Sequence, residues 1–368
     1  EAAKLSILGS EDAEDEEEPE KASGLAEGPG AEESRLKPSE KSYFDGYATF
    51  GIHYDMLSDT VRTESYRDFL INNPSLIKDK VVLDVGCGTG ILSMFAASAG
   101  AKQVIGVDMS DIVADAQEII KANGLSDKIT IIRGKIEEIK LPVEKVDLIV
   151  SEWMGYFLMY ESMLDSVLWA RDRYLAPGGT VMPDIHTMHI AMLDDSERLK
   201  FWDKVYGFDM THIKRRIRNR GGTEATVDHY EKKQIISNTA LLATFDCRSV
   251  TVKELEYKSP FSLVADREGQ CDALCTHFDS LFQNGCDKPV TSLSTGPYGD
   301  PSQQTHWKQT VFYLDGAPTV KAGDVVEGTL SSVRHHKNQR HLEVVIEWSF
   351  VPKDGPRSEV KYQKFEIV

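Results

Sequence analysis

Between Val81 and Val150 short apolar runs alternate with segments of helical spacing, and this alternation constrains the fold more than any other feature of the chain. Val81–Val85, Val104–Asp108, Ile129–Arg133 and Val146–Val150 are each five residues of mostly branched apolar side chains, and Ile112–Asn123 repeats its apolar positions at a helical period. Strands this short and this apolar are buried on both faces, and strands joined by helices pair in parallel. The expectation is an α/β domain with a parallel, doubly covered sheet. After Pro177-Gly178-Gly179 and Pro183 the rhythm changes to period-two alternation, clearest in His341–Phe350, where Leu342, Val344, Ile346, Trp348 and Phe350 share one face. Ile185–Met192, Ser249–Tyr257, Thr310–Leu314 and Val325–Val333 read the same way, so a second, β-rich domain is expected as a barrel. Phe201–Arg220, helical at first and then basic from Lys214 to Arg220, reads as an insertion after that domain's first strand. A length of 368 residues with 41% apolar content agrees with two domains, because single cores stop growing at ~250–300 residues.

The first strand runs into Asp84-Val85-Gly86-Cys87-Gly88-Thr89-Gly90 and then into a helix from Ile91 to Ala99. Glycines at Gly86 and Gly88 let a ligand come close to the backbone, which is the property of a nucleotide-type cofactor turn. Asp108 ends the second strand, where a carboxylate can accept both hydroxyls of a ribose. That acid serves NAD and S-adenosylmethionine equally. Asp84 discriminates: a carboxylate just before the turn repels a pyrophosphate but suits S-adenosylmethionine, which has no phosphate and carries an ammonium and a sulfonium.

After the fourth strand comes Ser151-Glu152-Trp153-Met154-Gly155-Tyr156-Phe157-Leu158-Met159-Tyr160-Glu161-Ser162-Met163-Leu164. Ligands of open α/β sheets sit at the strands' carboxyl ends, so Glu152 and Glu161 are expected to face the cofactor, and Met163 of the same loop is a candidate on the substrate side. A guanidinium is planar, carries five donors and matches carboxylates that accept paired hydrogen bonds. Its pKa above ~12 keeps it protonated and its nitrogens poorly nucleophilic. Two anions holding one arginine would draw positive charge away from one nitrogen and aim it at a methyl carbon. The same acids could instead be solvated, or one could pair with a structural arginine.

The net charge of −17 is uneven. Residues 1–41 hold thirteen Asp/Glu against five Lys/Arg, too polar to bury a core, and are expected to form a disordered acidic tail or linker. An acidic body argues against direct nucleic-acid binding and suits arginine-rich protein partners; solubility is an equal reading of the same charge. The five cysteines are an odd, scattered set, which points to reduced thiols. Cys271 and Cys275 lack the second ligand pair a zinc site needs, so no metal is expected. No stretch approaches the ~18 apolar residues of a membrane span and no signal-peptide pattern opens the chain, so a soluble protein of the cytosol or nucleus is expected.

The segment Ser151–Leu164 resembles the double-glutamate loop of the protein arginine methyltransferases, and Val82–Leu92 resembles their first cofactor motif. The resemblance extends over Tyr43–Val368, through Tyr43–Tyr47, Gly51–His53, Val61–Phe69, Leu141–Asp147, Phe201–Met210 and Thr305–Phe312. It is closest to the asymmetric-dimethylating (type I) branch and, in the cofactor turn, to the cytosolic zinc-finger-bearing group, whose finger is not in this sequence and would connect through the acidic tail. The resemblance implies a Rossmann-like methyltransferase domain over residues 42–183 with N-terminal helices. It implies a β-barrel over 184–368, with a dimerisation arm at about 197–220 and hence a homodimer. It places His53 and Arg62 at the donor's carboxylate, Gly86 in the turn, Asp108 and Ser110 at the ribose, and Ile136 and Glu137 at the adenine. Glu152 and Glu161 become the arginine clamp. Tyr43 and Tyr47 fall on a helix that closes over the donor, and Met56 leaves room for a second methyl on the same nitrogen. His306 pairs with Asp59, either to accept the proton lost by the product or to bolt the barrel to the donor domain. Tyr54 departs from the family, which usually carries an acid there.

Overall fold

The computed structural model describes residues 38–288 and 291–368, so the expected acidic tail, as far as residue 37, lies outside the described residues. Four helices precede the first strand: α1 (Pro38–Gly46), α2 (Phe50–Ser58), α3 (Thr60–Asn72) and α4 (Pro74–Ile77). There follow β1 (Val81–Val85), α5 (Ile91–Ser98), β2 (Gln103–Asp108), α6 (Val113–Ala122), β3 (Ile129–Arg133), β4 (Val146–Val150), α7 (Leu164–Tyr174) and β5 (Leu175–Met182). The five strands form one parallel sheet in the order β3-β2-β1-β4-β5. Strand order reverses between β1 and β4, and a crevice opens there beyond their carboxyl ends.

The fifth strand was hidden in the sequence because Pro177-Gly178-Gly179 reads as a turn. Val146 pairs with Leu175 and Leu148 with Thr180, so residues 176–179 are looped out of the ladder and the strand resumes beyond them. Asp59 starts α3 as its N-cap, accepting the Arg62 amide at 2.9 Å.

The second half contains β6 (Ile185–Leu193), α8 (Ser196–Lys200), α9 (Thr211–Gly221), β7 (Thr226–Asp228), β8 (Ala240–Asp246), β9 (Tyr257–Val264), β10 (Gly269–Gln270) and β11 (Ala273–Phe282). It ends with β12 (Thr291–Ser294), β13 (Gln309–Tyr313), β14 (Thr319–Val320), β15 (Val325–Arg334), β16 (Leu342–Val351) and β17 (Lys361–Ile367). Two larger antiparallel sheets result, one in the order β7-β13-β11-β6-β8 with β12 beside β11, the other in the order β17-β16-β15-β9. They meet at both margins: the Ala225 amide, just before β7, donates to the Glu366 carbonyl of β17, and Ser237 bridges Ala265. The expected barrel is therefore two sheets joined at their edges, with no continuous ring of strand ladders among the described residues.

Two sequence readings need correction. Ser249–Tyr257 is not a strand, because Thr251 and Glu254 form a reciprocal capping box that turns Val252–Leu255 into a short 3-10 helix. The basic run from Lys214 to Arg220 is itself helical, being most of α9, while Phe201–Asp203 is a single 3-10 turn.

The two halves are packed through aromatic side chains. Phe282, at the end of β11, stacks on Phe69 at 4.9 Å and meets the edge of Tyr66 at 5.0 Å, all three fully buried. Arg171 on α7 donates to the carbonyls of Cys247 and Val250. Phe282→Ala is expected to cost about 3–5 kcal/mol of unfolding free energy in urea titration, because the cavity opens between two domains that cannot both collapse onto it. A loss below about 1 kcal/mol would mean that the domains fold independently of this contact.

Candidate active site

Gly86, Gly88 and Gly90 all have left-handed backbone, with φ of 73°, 51° and 83°. A side chain at Gly86 would also collide with the Met163 methyl, and one at Gly88 would press on His53. The turn is thus packed against two candidates of the sequence reading, His53 and Met163. The Gly86 and Cys87 amides donate to Val107, and the Gly88 amide donates to Asp108 Oδ2 at 3.0 Å, which ties the turn to the end of β2.

A cavity of about 830 Å³ opens over this turn. Tyr43, Tyr47, His53, Met56, Asp59 and Arg62 line it from the N-terminal helices. Gly86, Gly88, Asp108, Ile136, Glu137, Glu152, Glu161 and Met163 line it from the parallel-sheet domain, and His306 from the second half. Two candidates stand elsewhere. Ser110 is buried and donates both its amide and its hydroxyl to Asp108 Oδ1, at 2.8 and 2.7 Å, so it orients that carboxylate from behind. Asp84 lies beneath the turn, fully buried, accepting Ser93 Oγ at 2.7 Å on Oδ2 while Oδ1 has no partner. Burial drives its carboxyl up to about 7, opposed by the Ser93 hydrogen bond and reinforced by Asp108. Asp84 therefore lies outside the cavity lining, beneath the turn, and, against the sequence expectation, is not among the residues that would touch a cofactor.

Arg62, on the cavity wall, also meets one of the two acids. Its Nε and Nη2 both donate to Glu152 Oε2, at 2.9 and 2.7 Å, and its Nη1 donates to the Met56 carbonyl. Both side chains are about nine-tenths buried, with 7% exposure each, so the pair is a desolvated ion pair rather than a surface one. Glu152 lines the cavity, and its Oε1 stands outside the ion pair. Glu161 is held by hydroxyls: Tyr47 donates to its Oε2 at 2.7 Å, and Tyr43 hydrogen-bonds the same carboxylate. Burial raises the Glu161 carboxyl above its ordinary range; the Tyr47 and Tyr43 hydrogen bonds oppose the shift and Glu152 adds to it. Burial, with the nearby Glu161 charge, pushes both phenols up, so they stay protonated and donate.

The loop between the two acids is strained. Phe157, Leu158, Glu161 and Ser162 have φ of 51°, 63°, 77° and 57°, conformations that cost of order 1–3 kcal/mol each for residues with a side chain. Gly155 is required where it stands, because a Cβ there would fall 2.1 Å from the Tyr160 carbonyl. Asp59 Oδ2 accepts both the His306 amide and His306 Nδ1, at 2.9 and 2.8 Å. Burial would raise the Asp59 carboxyl, but its hydrogen bonds from His306 and the Arg62 amide hold it below the usual range. Next to this pair, Trp307 Nε1 donates to the Met154 carbonyl at 2.7 Å. Arg340, Lys308 and His229 also line the cavity, and sequence reading had singled out none of them. All three come from the second half, and nothing local in their segments marks them.

Residues 184–353 match the family model described as the arginine methyltransferase oligomerization subdomain, and residues 82–179 match a methyltransferase domain. Protein arginine N-methyltransferase 1 of Schizosaccharomyces pombe is 50% identical over 86% of this chain and 92% of its own length. The protein of the same name from Saccharomyces cerevisiae is 47% identical over 87% of this chain and 91% of its own. This chain belongs to the protein arginine methyltransferase family. Among solved structures, the Trypanosoma brucei PRMT1 enzyme–prozyme heterotetramer with AdoHcy superimposes with a TM-score of 0.79 at 44% identity, covering 88% of this chain and all of that one. Arabidopsis thaliana protein arginine methyltransferase 10, described as uniquely open, gives the same TM-score at 30% identity, covering 89% of this chain and all of that one.

The buried acid under the turn gives this methyltransferase a pH signature. Between 3.8 and about 7 the folded chain keeps a proton on Asp84 that the unfolded chain has released, so this group's contribution to stability falls as pH rises through that window. Asp84→Asn removes the titration. The variant is expected to melt modestly above wild type at pH 5 and further above it at pH 8, in calorimetry of ligand-free protein. A variant that melts below wild type at pH 8 would contradict a neutral-preferring acid at this position.

Proposed function

We propose that this chain transfers methyl groups from S-adenosylmethionine to guanidinium nitrogens of arginines in Gly/Arg-rich protein segments, giving monomethyl and then asymmetric dimethylarginine. The observation that carries the reading is the pair of carboxylates on the half-buried residues Glu152 and Glu161, at the carboxyl edge of the sheet beside a glycine turn and a ribose-type acid, Asp108. The names of the relatives and the AdoHcy in the T. brucei complex support the same donor and acceptor.

The cavity residues suit such a donor. The left-handed glycines admit close approach, Asp108 presents its carboxylate to hydroxyls, and Ile136 offers an apolar wall to a purine. S-adenosylmethionine, when bound, supplies a methyl carbon made electrophilic by a cationic sulfur. The chain's own residues do the rest. Glu152 Oε1 and Glu161 accept the guanidinium's hydrogens, hold its plane and localise its positive charge toward them, leaving electron density on the nitrogen aimed at the donor. Orientation of this kind can be worth about 7–11 kcal/mol of barrier. Met56 and Met163, both lining the cavity, limit the space around that nitrogen. The His306–Asp59 pair spans the two halves and is a candidate acceptor for the proton the product loses. Its direct link to the α3 N-cap favours the bolting role.

Glu152→Gln and Glu161→Gln are each expected to keep AdoHcy affinity within several-fold and to lower turnover by roughly 100-fold or more. Calorimetry and mass spectrometry of a Gly/Arg-rich peptide incubated with labelled donor check both parts and separate asymmetric from symmetric product. Near-normal turnover in both variants would end the clamp reading.

A homodimer belongs to the same proposal. Tyr206 and Gly207, with φ of 50° and 94°, form the two-residue tip of a tight hairpin closed by paired hydrogen bonds between Val205 and Phe208. Tyr206 is 98% exposed, with Phe201 and Phe208 exposed beside it. On α2, Phe50, Tyr54 and Leu57 form a second exposed apolar stripe at helical spacing. A hairpin tip that spends an aromatic side chain on solvent is explained when the tip of one copy covers the α2 stripe of the next. Here Tyr54 replaces the family's usual acid with an apolar contact. Tyr206→Asp is expected to shift sedimentation from dimer to monomer at micromolar concentration and to reduce turnover with it; a fully active monomer would remove the assignment.

A further inference from the structure

Arg340 lies in the β15–β16 hairpin, far from the acids in sequence, yet its contacts join three elements. Its Nη1 donates to the Glu161 carbonyl at 2.7 Å, and its own carbonyl accepts the Glu161 amide at 2.8 Å. The adjacent Gln339 carbonyl accepts Ser162 Oγ at 2.6 Å. On its other side the guanidinium lies 3.7 Å from the centre of the Tyr43 ring, on α1, with the Phe44 ring at 5.5 Å.

Each contact answers a specific need. Glu161 and Ser162 are in left-handed backbone, which residues with a Cβ leave unless neighbours hold them, and the hairpin grips them from both sides of the Glu161 peptide. Helix α1 has the opposite problem. None of its side chains from Ser39 to Gly46 is fully buried, so it has little apolar anchorage of its own. It is seated by polar and aromatic contacts: Glu40 with Lys135 at 2.8 Å, Tyr43 with Arg340, and the flanking Tyr47 with Glu161. A guanidinium can present its face to a ring while its edge donates a hydrogen bond; an ammonium has no plane with which to divide these tasks.

We infer that Arg340 is a positioning residue that holds the Glu161 backbone in its left-handed conformation and, through the Tyr43 ring, makes that position conditional on α1 lying over the cavity. The inference rests on Glu161 serving the arginine-methylation reading above. Closure of α1 and assembly of the acceptor site are then one event, so the second carboxylate is in place when the donor cavity is covered.

The test uses the full chain, with Arg340→Gln, Arg340→Lys, Tyr43→Leu and the Tyr43→Leu/Arg340→Gln double variant. Turnover number is expected to fall at least about tenfold in both Arg340 variants, with AdoHcy affinity and peptide KM within about threefold, since the lost interaction orients rather than binds. Tyr43→Leu should fall comparably, and the double variant no further than the weaker single one, as for two residues acting as a unit. Independently of turnover, trypsin cleavage after Lys41 in saturating AdoHcy should accelerate in Arg340→Gln and Tyr43→Leu. Wild-type turnover in Arg340→Lys, additive losses in the double variant, or AdoHcy affinity lost in parallel with turnover would each overturn the inference. If wild type left the peptide unmodified, the methylation reading would fail, while unchanged cleavage after Lys41 would refute the α1 link on its own.

Discussion

Two carboxylates in one buried pocket repel each other and lose their hydration, and the rest of the site is arranged around that cost. The structure answers it asymmetrically. Glu152 is neutralised by the Arg62 guanidinium, a full charge held at 2.7 Å, whereas Glu161 is met by hydroxyls that stay neutral. Burial therefore raises the Glu161 carboxyl even after Tyr43 and Tyr47 have donated to it. Glu161 is thus less fully neutralised than Glu152, and under the proposed function an arginine side chain supplies the missing charge, with a planar set of donors for Glu152 and Glu161 to share.

Neither half of the chain builds this pocket alone. The parallel-sheet domain contributes the turn and both acids, but the strained loop that carries them is closed by groups from the second half. Trp307 fixes Met154, the β15–β16 hairpin fixes Glu161 and Ser162, and Phe282 locks α3 against β11. Asp59 is the point where these tasks meet, because one carboxylate caps α3, and so sets where Arg62 stands, while also binding His306. Strain in the loop and tight packing between the halves are two sides of one arrangement, since left-handed residues persist only where their surroundings over-determine them. A loop positioned this way can be accurate without being intrinsically stable.

The supporting groups also show why the site includes residues with no chemistry of their own. Ser110 never reaches the cavity, yet it fills the second oxygen of Asp108 and leaves that carboxylate with a fixed orientation. Met163 packs against Gly86, so the turn and the double-glutamate loop are packed against each other directly.

What could be read from the sequence alone was whatever depends on neighbours along the chain. Five-residue apolar runs specified a parallel sheet, the glycines specified a turn that a ligand can approach, and two acids bracketing an aromatic loop marked the carboxylates proposed to hold the arginine. These follow from steric and periodic rules that act within a few residues. Period-two alternation was a weaker guide: it marked β15 and β16 correctly but misread Ser249–Tyr257, where a local capping box outweighed it, and the Pro-Gly-Gly bulge concealed β5. Which side chain each functional residue would meet was settled only in three dimensions. Arg62 turned to Glu152, Asp84 went beneath the turn instead of facing the ligand, and Arg340 arrived from a distant hairpin to grip Glu161. Partners of that kind are chosen by the docking of whole elements, and the contact between two surfaces leaves no pattern in either stretch of sequence.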